Sequence, residues 1–155
     1  MSITREDRAE LWVYPNLGNG VVKDDRIELI VTCPVADPGQ GCESADDHWY
    51  NAEDLVDAGD LNADGTPDLL VKQGKKLWAY HSNGVSLLDG SGPPVLVGDG
   101  DWDAYTVAVP GDTDGDGVAD LWLRDDVSGD VFRVSGVKGA DGKADPAGGA
   151  WPRTG

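Results

Sequence analysis

The segment YNAEDLVDAGDLNADGTPDLLV (residues 50–71) recurs without a gap as WDAYTVAVPGDTDGDGVADLWL (102–123), an offset of 52 residues throughout. An internal period constrains a fold more than local propensity does. Each copy must form the same small unit and bury its apolar faces on its neighbours. Tyr50 matches Trp102, Ala52 matches Ala104, and Gly59-Asp60 matches Gly111-Asp112. Downstream, KKLWAYHSNG (75–84) pairs with GDVFRVSGVK (129–138), after a turn two residues longer. The same strand pattern stands near the start as AELWVYPNLGNG (9–20), and GGAWPRTG (148–155) begins another copy of the aromatic lead-in.

No apolar helical periodicity is sustained, and 22 Gly with 9 Pro indicate many short strands and turns. In the complete copy, strands are expected at 54–58, 68–72, 76–81 and 94–98, with 85–93 as a longer connection. Four antiparallel strands repeating about every 50 residues are the signature of a β-propeller blade. The chain therefore reads as all-β, with about two and a half blades in one propeller segment. Residues 1–50 would be a partial blade, 51–101 a complete one, and 102–155 a third, incomplete one. A closed ring needs about four blades or more. The segment is thus expected to belong to a larger propeller or to assemble with other copies. A compact β-domain of two packed sheets is the alternative.

Each repeat carries an acidic loop. Counted from Asp60, the oxygen donors at positions 1, 3, 5 and 9 are Asp60, Asn62, Asp64 and Asp68. The second loop has Asp112, Asp114, Asp116 and Asp120 at the same positions, with Gly65 and Gly117 at position 6. Alternate donors converge when the chain curls around a cation, and Gly permits the positive φ that such a curl needs. The backbone carbonyls of Thr66 and Val118, at position 7, would add further oxygens. An all-oxygen set of this size suits Ca²⁺ better than Mg²⁺ and suits zinc or copper poorly. Two calcium sites are therefore expected. Neither loop is an EF-hand, since Val71 and Leu123 stand where Glu is required and strand-like sequence follows. The competing reading is that Asp, Asn and Gly are good turn formers. A weaker echo, GADGKADPAGG (139–149), lacks donors at its first and third positions and reads as a turn.

The charge balance, 29 acidic against 12 basic residues, argues against nucleic acid or an anionic membrane as partner. It suits a cation-binding, salt-tolerant or secreted protein. No apolar run is long enough to span a bilayer. No charged-then-apolar leader follows Met1, which carries little weight for a fragment. Cys33 and Cys42 flank a loop rich in Pro and Gly and could close as a disulfide, implying an oxidising compartment. Two unpaired surface thiols are the alternative.

The lead-ins AGDLNADGTPDLLV and VPGDTDGDGVADLWL, the LWVY and LWAY strands, and VGDGDWDAY resemble FG-GAP/VCBS repeats of integrin-type β-propellers, especially their bacterial secreted relatives. The resemblance covers most of residues 9–135. The chain departs from the name-giving pattern, with no Phe-Gly pair and with AGD or PGD where Gly-Ala-Pro would stand. The resemblance implies a calcium loop between the first two strands of each blade, lying on the rim of the ring. Asp60, Asn62, Asp64, Thr66 and Asp68 would hold one ion; Asp112, Asp114, Asp116, Val118 and Asp120 would hold the other. It also implies an extracellular adhesion, carbohydrate-binding or protein-binding role, often beside a secreted catalytic domain.

No catalytic role is expected of the chain itself. His48 and His81 read as surface or turn residues with no nucleophile near in sequence, and no GxSxG, HExxH or phosphate-cradling loop is present. Carboxylates engaged with calcium are poor acids or bases. The aromatics Trp49, Tyr50, Trp102 and Trp151 recur at blade starts, and Trp12, Trp78 and Phe132 recur in one strand. They are expected to pack blade against blade, with sugar-stacking platforms as the alternative. The expected function is a calcium-binding extracellular binding or scaffold module. The alternatives are a lectin-like carbohydrate-binding module and a non-catalytic accessory region of a secreted hydrolase.

Overall fold

Period-two alternation of apolar residues, interrupted by Gly- and Asp-rich turns, gives nine short strands among the described residues. The computed structural model describes residues 11–14, 18–22, 24–28, 52–62, 64–82 and 94–138. Strands β1 (Trp12–Val13) and β2 (Ile27–Glu28) form a short antiparallel pair. Strands β3 (Asp54–Gly59), β4 (Asp68–Gln73), β5 (Lys76–Tyr80) and β6 (Val95–Asp99) make a four-stranded antiparallel sheet in sequence order. A 3-10 turn at Trp102–Ala104 leads into β7 (Tyr105–Gly111), β8 (Asp120–Asp125) and β9 (Val131–Val134), a three-stranded antiparallel sheet. The described structure is all-β. The four strands expected of the complete repeat match β3 to β6 to within one residue at each end. Cys33, Cys42, His48, Trp49, Tyr50, Trp151 and the 139–149 echo lie outside the described residues.

The repeat also holds in the strand registers. Leu70 pairs with Ala79 and Lys72 with Leu77, while in the second sheet Trp122 pairs with Arg133 and Arg124 with Val131. Both faces of the four-stranded sheet are apolar, unlike a sheet with one face toward water. One face, here called leading, carries Val56, Leu70, Leu77, Ala79 and Val97. It packs against Tyr105, Val107, Leu121, Leu123 and Val134 of the second sheet. The opposite, trailing face carries Leu55, Leu69, Val71, Trp78, Tyr80 and Leu96, and Leu11 beside β1 packs on it. Each fully buried Leu or Val contributes roughly 1.5–3 kcal/mol relative to exposure, so these two clusters hold the sheets together. Burial also pushes the Tyr80 phenol well above its ordinary value.

The sheets meet in one sense. At offset 52, Val107, Leu121 and Leu123 are the counterparts of Leu55, Leu69 and Val71. The leading face of one sheet therefore meets the trailing face of the next. The Lys72 ammonium crosses this junction to donate to the Tyr105 carbonyl at 3.0 Å. Trp102 is buried against the preceding sheet, so close to Gly98 that a Cβ there would sit 2.7 Å from its Cε2.

Candidate metal centre

The two acidic loops join equivalent strands, β3 to β4 and β7 to β8. Each begins at a register shift, between Asp57 and Gly59 in one and between Ala108 and Gly111 in the other, which turns the chain out of the sheet. Position 6 has the expected left-handed backbone, with φ of 91° at Gly65 and 87° at Gly117.

Position 1 organises each curl. In the first loop Asp60 Oδ1 accepts from the Asp64 amide (3.0 Å), and Oδ2 accepts from the Gly65 amide (2.8 Å). Asp112 repeats this: its Oδ2 accepts from Gly117 (2.8 Å), and its Oδ1 from Gly115 (2.7 Å) and Asp116 (3.2 Å). The Gly117 amide is the main reason that the Asp112 carboxyl lies below its ordinary value; burial opposes it, and the Gly115 and Asp116 amides assist. Position 5 accepts from the amide two residues on, Thr66 to Asp64 and Val118 to Asp116, both at 2.8 Å.

The side chains then diverge. In the second loop, carboxylate oxygens of Asp112, Asp114 and Asp116 all lie within 4.8 Å of one another, on an exposed surface. Oxygens that surround one Ca²⁺ at about 2.4 Å stand at most about 4.8 Å apart, so the spacing meets that requirement for a shared ion. In the first loop the middle donor is neutral. Asn62 Nδ2 donates to Asp64 Oδ2 at 2.9 Å. The Thr66 hydroxyl lies 2.5 Å from Asp64 Oδ1 and 2.9 Å from the Ser82 carbonyl. The Thr66 hydroxyl, then the Asn62 amide, hold the Asp64 carboxyl below its ordinary value.

Position 9 is the residue that sequence reasoning placed least well in space. Asp68 and Asp120 are buried, and their oxygens face backbone amides. Asp68 Oδ2 accepts from Leu61 (2.9 Å) and Oδ1 from Ser82 (3.1 Å). Asp120 Oδ2 accepts from the Thr113 amide (2.9 Å) and hydroxyl, and Oδ1 from Gly136 (3.0 Å). Burial pushes the Asp120 carboxyl up, but the Thr113 hydroxyl and the Gly136 and Thr113 amides outweigh it, and the net direction is down. Each carboxylate thus ties the loop's second residue to the strand beyond the next hairpin. The repeat alignment already paired Ser82 and Gly136 at an offset of 54, so the signal was present in the sequence without a reason to read it.

Four further neighbours were not legible as such. His81 was expected at the surface or in a turn; its side chain is only 14% exposed, with Nδ1 3.1 Å from Asp68 Oδ2 in a poorly aligned contact. Lys138 Nζ donates to the Asp116 carbonyl at 2.6 Å, and Arg133 stands 3.7 Å from Asp114. Ser135, the counterpart of His81, donates its hydroxyl to Asp114 Oδ2 at 3.1 Å. Comparison with protein-family models, with curated proteins and with solved structures finds no match. The loop geometry therefore carries the functional argument.

Proposed function

We propose that the chain is a calcium-stabilised β-propeller segment of the FG-GAP/VCBS type, serving outside the cell as a binding or scaffold module and not as a catalyst. The observation that carries this reading is the convergence of Asp112, Asp114 and Asp116 within 4.8 Å on a hairpin between two strands. An equivalent hairpin stands one repeat earlier, so two ions are proposed. Asp60, Asn62, Asp64, the Thr66 carbonyl and Asp68 would hold the first. Asp112, Asp114, Asp116, the Val118 carbonyl and Asp120 would hold the second. A carboxylate offers about four lone-pair positions, so Asp68 and Asp120 can keep their amide donors and still face an ion. The bound ion supplies positive charge that offsets the repulsion within each loop and fixes the hairpin on the rim.

A lectin-like reading has a narrower basis. Trp78 and Trp102 are buried and offer no platform; among the described residues the exposed rings able to stack on a sugar are Trp122, Phe132 and Tyr14. Glycan binding measured with and without chelator separates that role from a scaffold. For calcium itself, the test is a calorimetric titration alongside a thermal melt. Two sites are expected, and calcium at a hundred times its Kd should stabilise by about 2.7 kcal/mol per site. An unchanged melt in excess chelator would sink the proposal.

A further inference from the structure

The junctions between repeats have a polarity, and among the described residues β1–β2 and β7–β9 each show one half of that junction without its other half. Leu11, the counterpart of Leu77 in the LWVY/LWAY alignment, lies against Val71, Trp78 and Tyr80 on the trailing face of β3–β6. The leading face of β3–β6 lies in turn against the trailing face of β7–β9. The same sense is therefore seen twice in succession.

On β7–β9 no described residue of another sheet packs over the leading face. Trp122 and Val131, the counterparts of buried Leu70 and Leu77, are 44% and 62% exposed. These two positions stay apolar although no described residue buries them, while Arg133 beside Trp122 takes the place of buried Ala79. Arg124 stands where Lys72 reaches across the inner junction to a backbone carbonyl. At the other end, Trp12 and Tyr14 are the counterparts of Trp78 and Tyr80. They mark the trailing face of β1–β2, where the Arg26 guanidinium lies 4.1 Å over the Trp12 ring and Tyr14 is the exposed member. Tyr80 is fully buried beneath the preceding repeat, whereas Tyr14 is 46% exposed.

We propose that the chain associates head to tail with a second copy of itself, the Trp122–Val131 face of one molecule receiving the Trp12–Tyr14 face of the next. The contact continues the internal junction and would be heterologous, so it either closes into a ring or adds further copies. It rests on the blade reading of the sheets and not on the calcium reading. The net charge of −17 opposes association at low salt, and added salt should favour it.

The experiment is sedimentation velocity on the full chain across a concentration series at high salt. It is run once with calcium and once with chelator, and circular dichroism checks that each variant is folded. Wild type should rise to at least twice the monomer mass and return to it on dilution. Trp122→Asn and Tyr14→Asn, which leave the charge unchanged, should each stay monomeric alone. Mixed in equal amounts they should form a dimer and nothing larger, because only one intact pair of faces remains. Val131→Asn should behave as Trp122→Asn does. A wild type that stays monomeric at every concentration, a single variant that associates as wild type does, or a mixture that stays monomeric would each overturn the proposal. If calcium and chelator give identical melts, the calcium reading fails while the mixing result keeps its meaning.

Discussion

The two acidic loops share a backbone and differ in how they manage charge. The 60–68 loop places Asn62 between its carboxylates and spends the Thr66 hydroxyl and the Asn62 amide on Asp64. The 112–120 loop gathers three carboxylates and sets Lys138 and Arg133 beside them. The first loop is thus closed largely by neutral donors, the second by cations from β9 and the residues after it. A divalent ion should gain more at the second loop, where more negative charge converges. It must also contend there with the neighbouring positive side chains.

The strongest way to break this comparison is at position 9, where the two loops are most alike. Asp120→Ala strands two backbone amides and a hydroxyl, and Asp68→Ala strands two amides. At about 1 kcal/mol for each stranded and mostly half-buried group, losses of roughly 2 kcal/mol for Asp68→Ala and roughly 3 kcal/mol for Asp120→Ala are expected. Urea melts in chelator check this, because the loss should appear without calcium. A variant that loses stability only in calcium would show that the buried carboxylate acts as a ligand and not as a backbone tie.

The comparison sharpens at position 5. Asp116→Ala and Asp64→Ala should each remove one site from a calcium titration, with Asp116→Ala taking the larger share of the calcium-induced rise in Tm. Lys138→Ala should tighten the remaining affinity of the second loop by up to about fivefold, the scale of one exposed charge. Equal effects of Asp64→Ala and Asp116→Ala would mean that the charge difference between the loops does not matter.

The smallest expected effect is the response to acid. Asp64, Asp112 and Asp120 have folded values below the 3.8 of a free carboxyl. Groups lowered by folding contribute stability above the unfolded value and lose it as pH falls through the folded one. In chelator, stability should be level near neutrality and begin to fall only near pH 4, continuing downward from there. Loss beginning well above pH 4 would mean that these lowered carboxyls do not set the acid response.

Much of the fold was legible because its signals are local. Alternating apolar residues in LLVK and LWAY mark strands, Gly65 and Gly117 mark tight curls, and the 52-residue offset says that the two units are alike. The acidic hairpins were legible for the same reason, since alternate oxygen donors within nine residues need no knowledge of the rest of the chain. The inward turn of Asp68 and Asp120 was not, because their amide partners, Ser82 and Gly136, stand across a further hairpin. His81, expected at the surface or in a turn, has a largely covered side chain, because a residue after a strand end has no local mark of what packs over it.

What the sequence determined by itself was the repeating unit: strand positions, the two acidic hairpins, and a pattern apolar on both faces of each sheet. Tertiary structure alone decided which of those faces is covered and in what sense the units stack. Leu70 and Trp122 occupy the same place in the repeat, yet one is buried and the other exposed. Burial is a property of the neighbour that is present, and no residue encodes its neighbour's presence within its own strand.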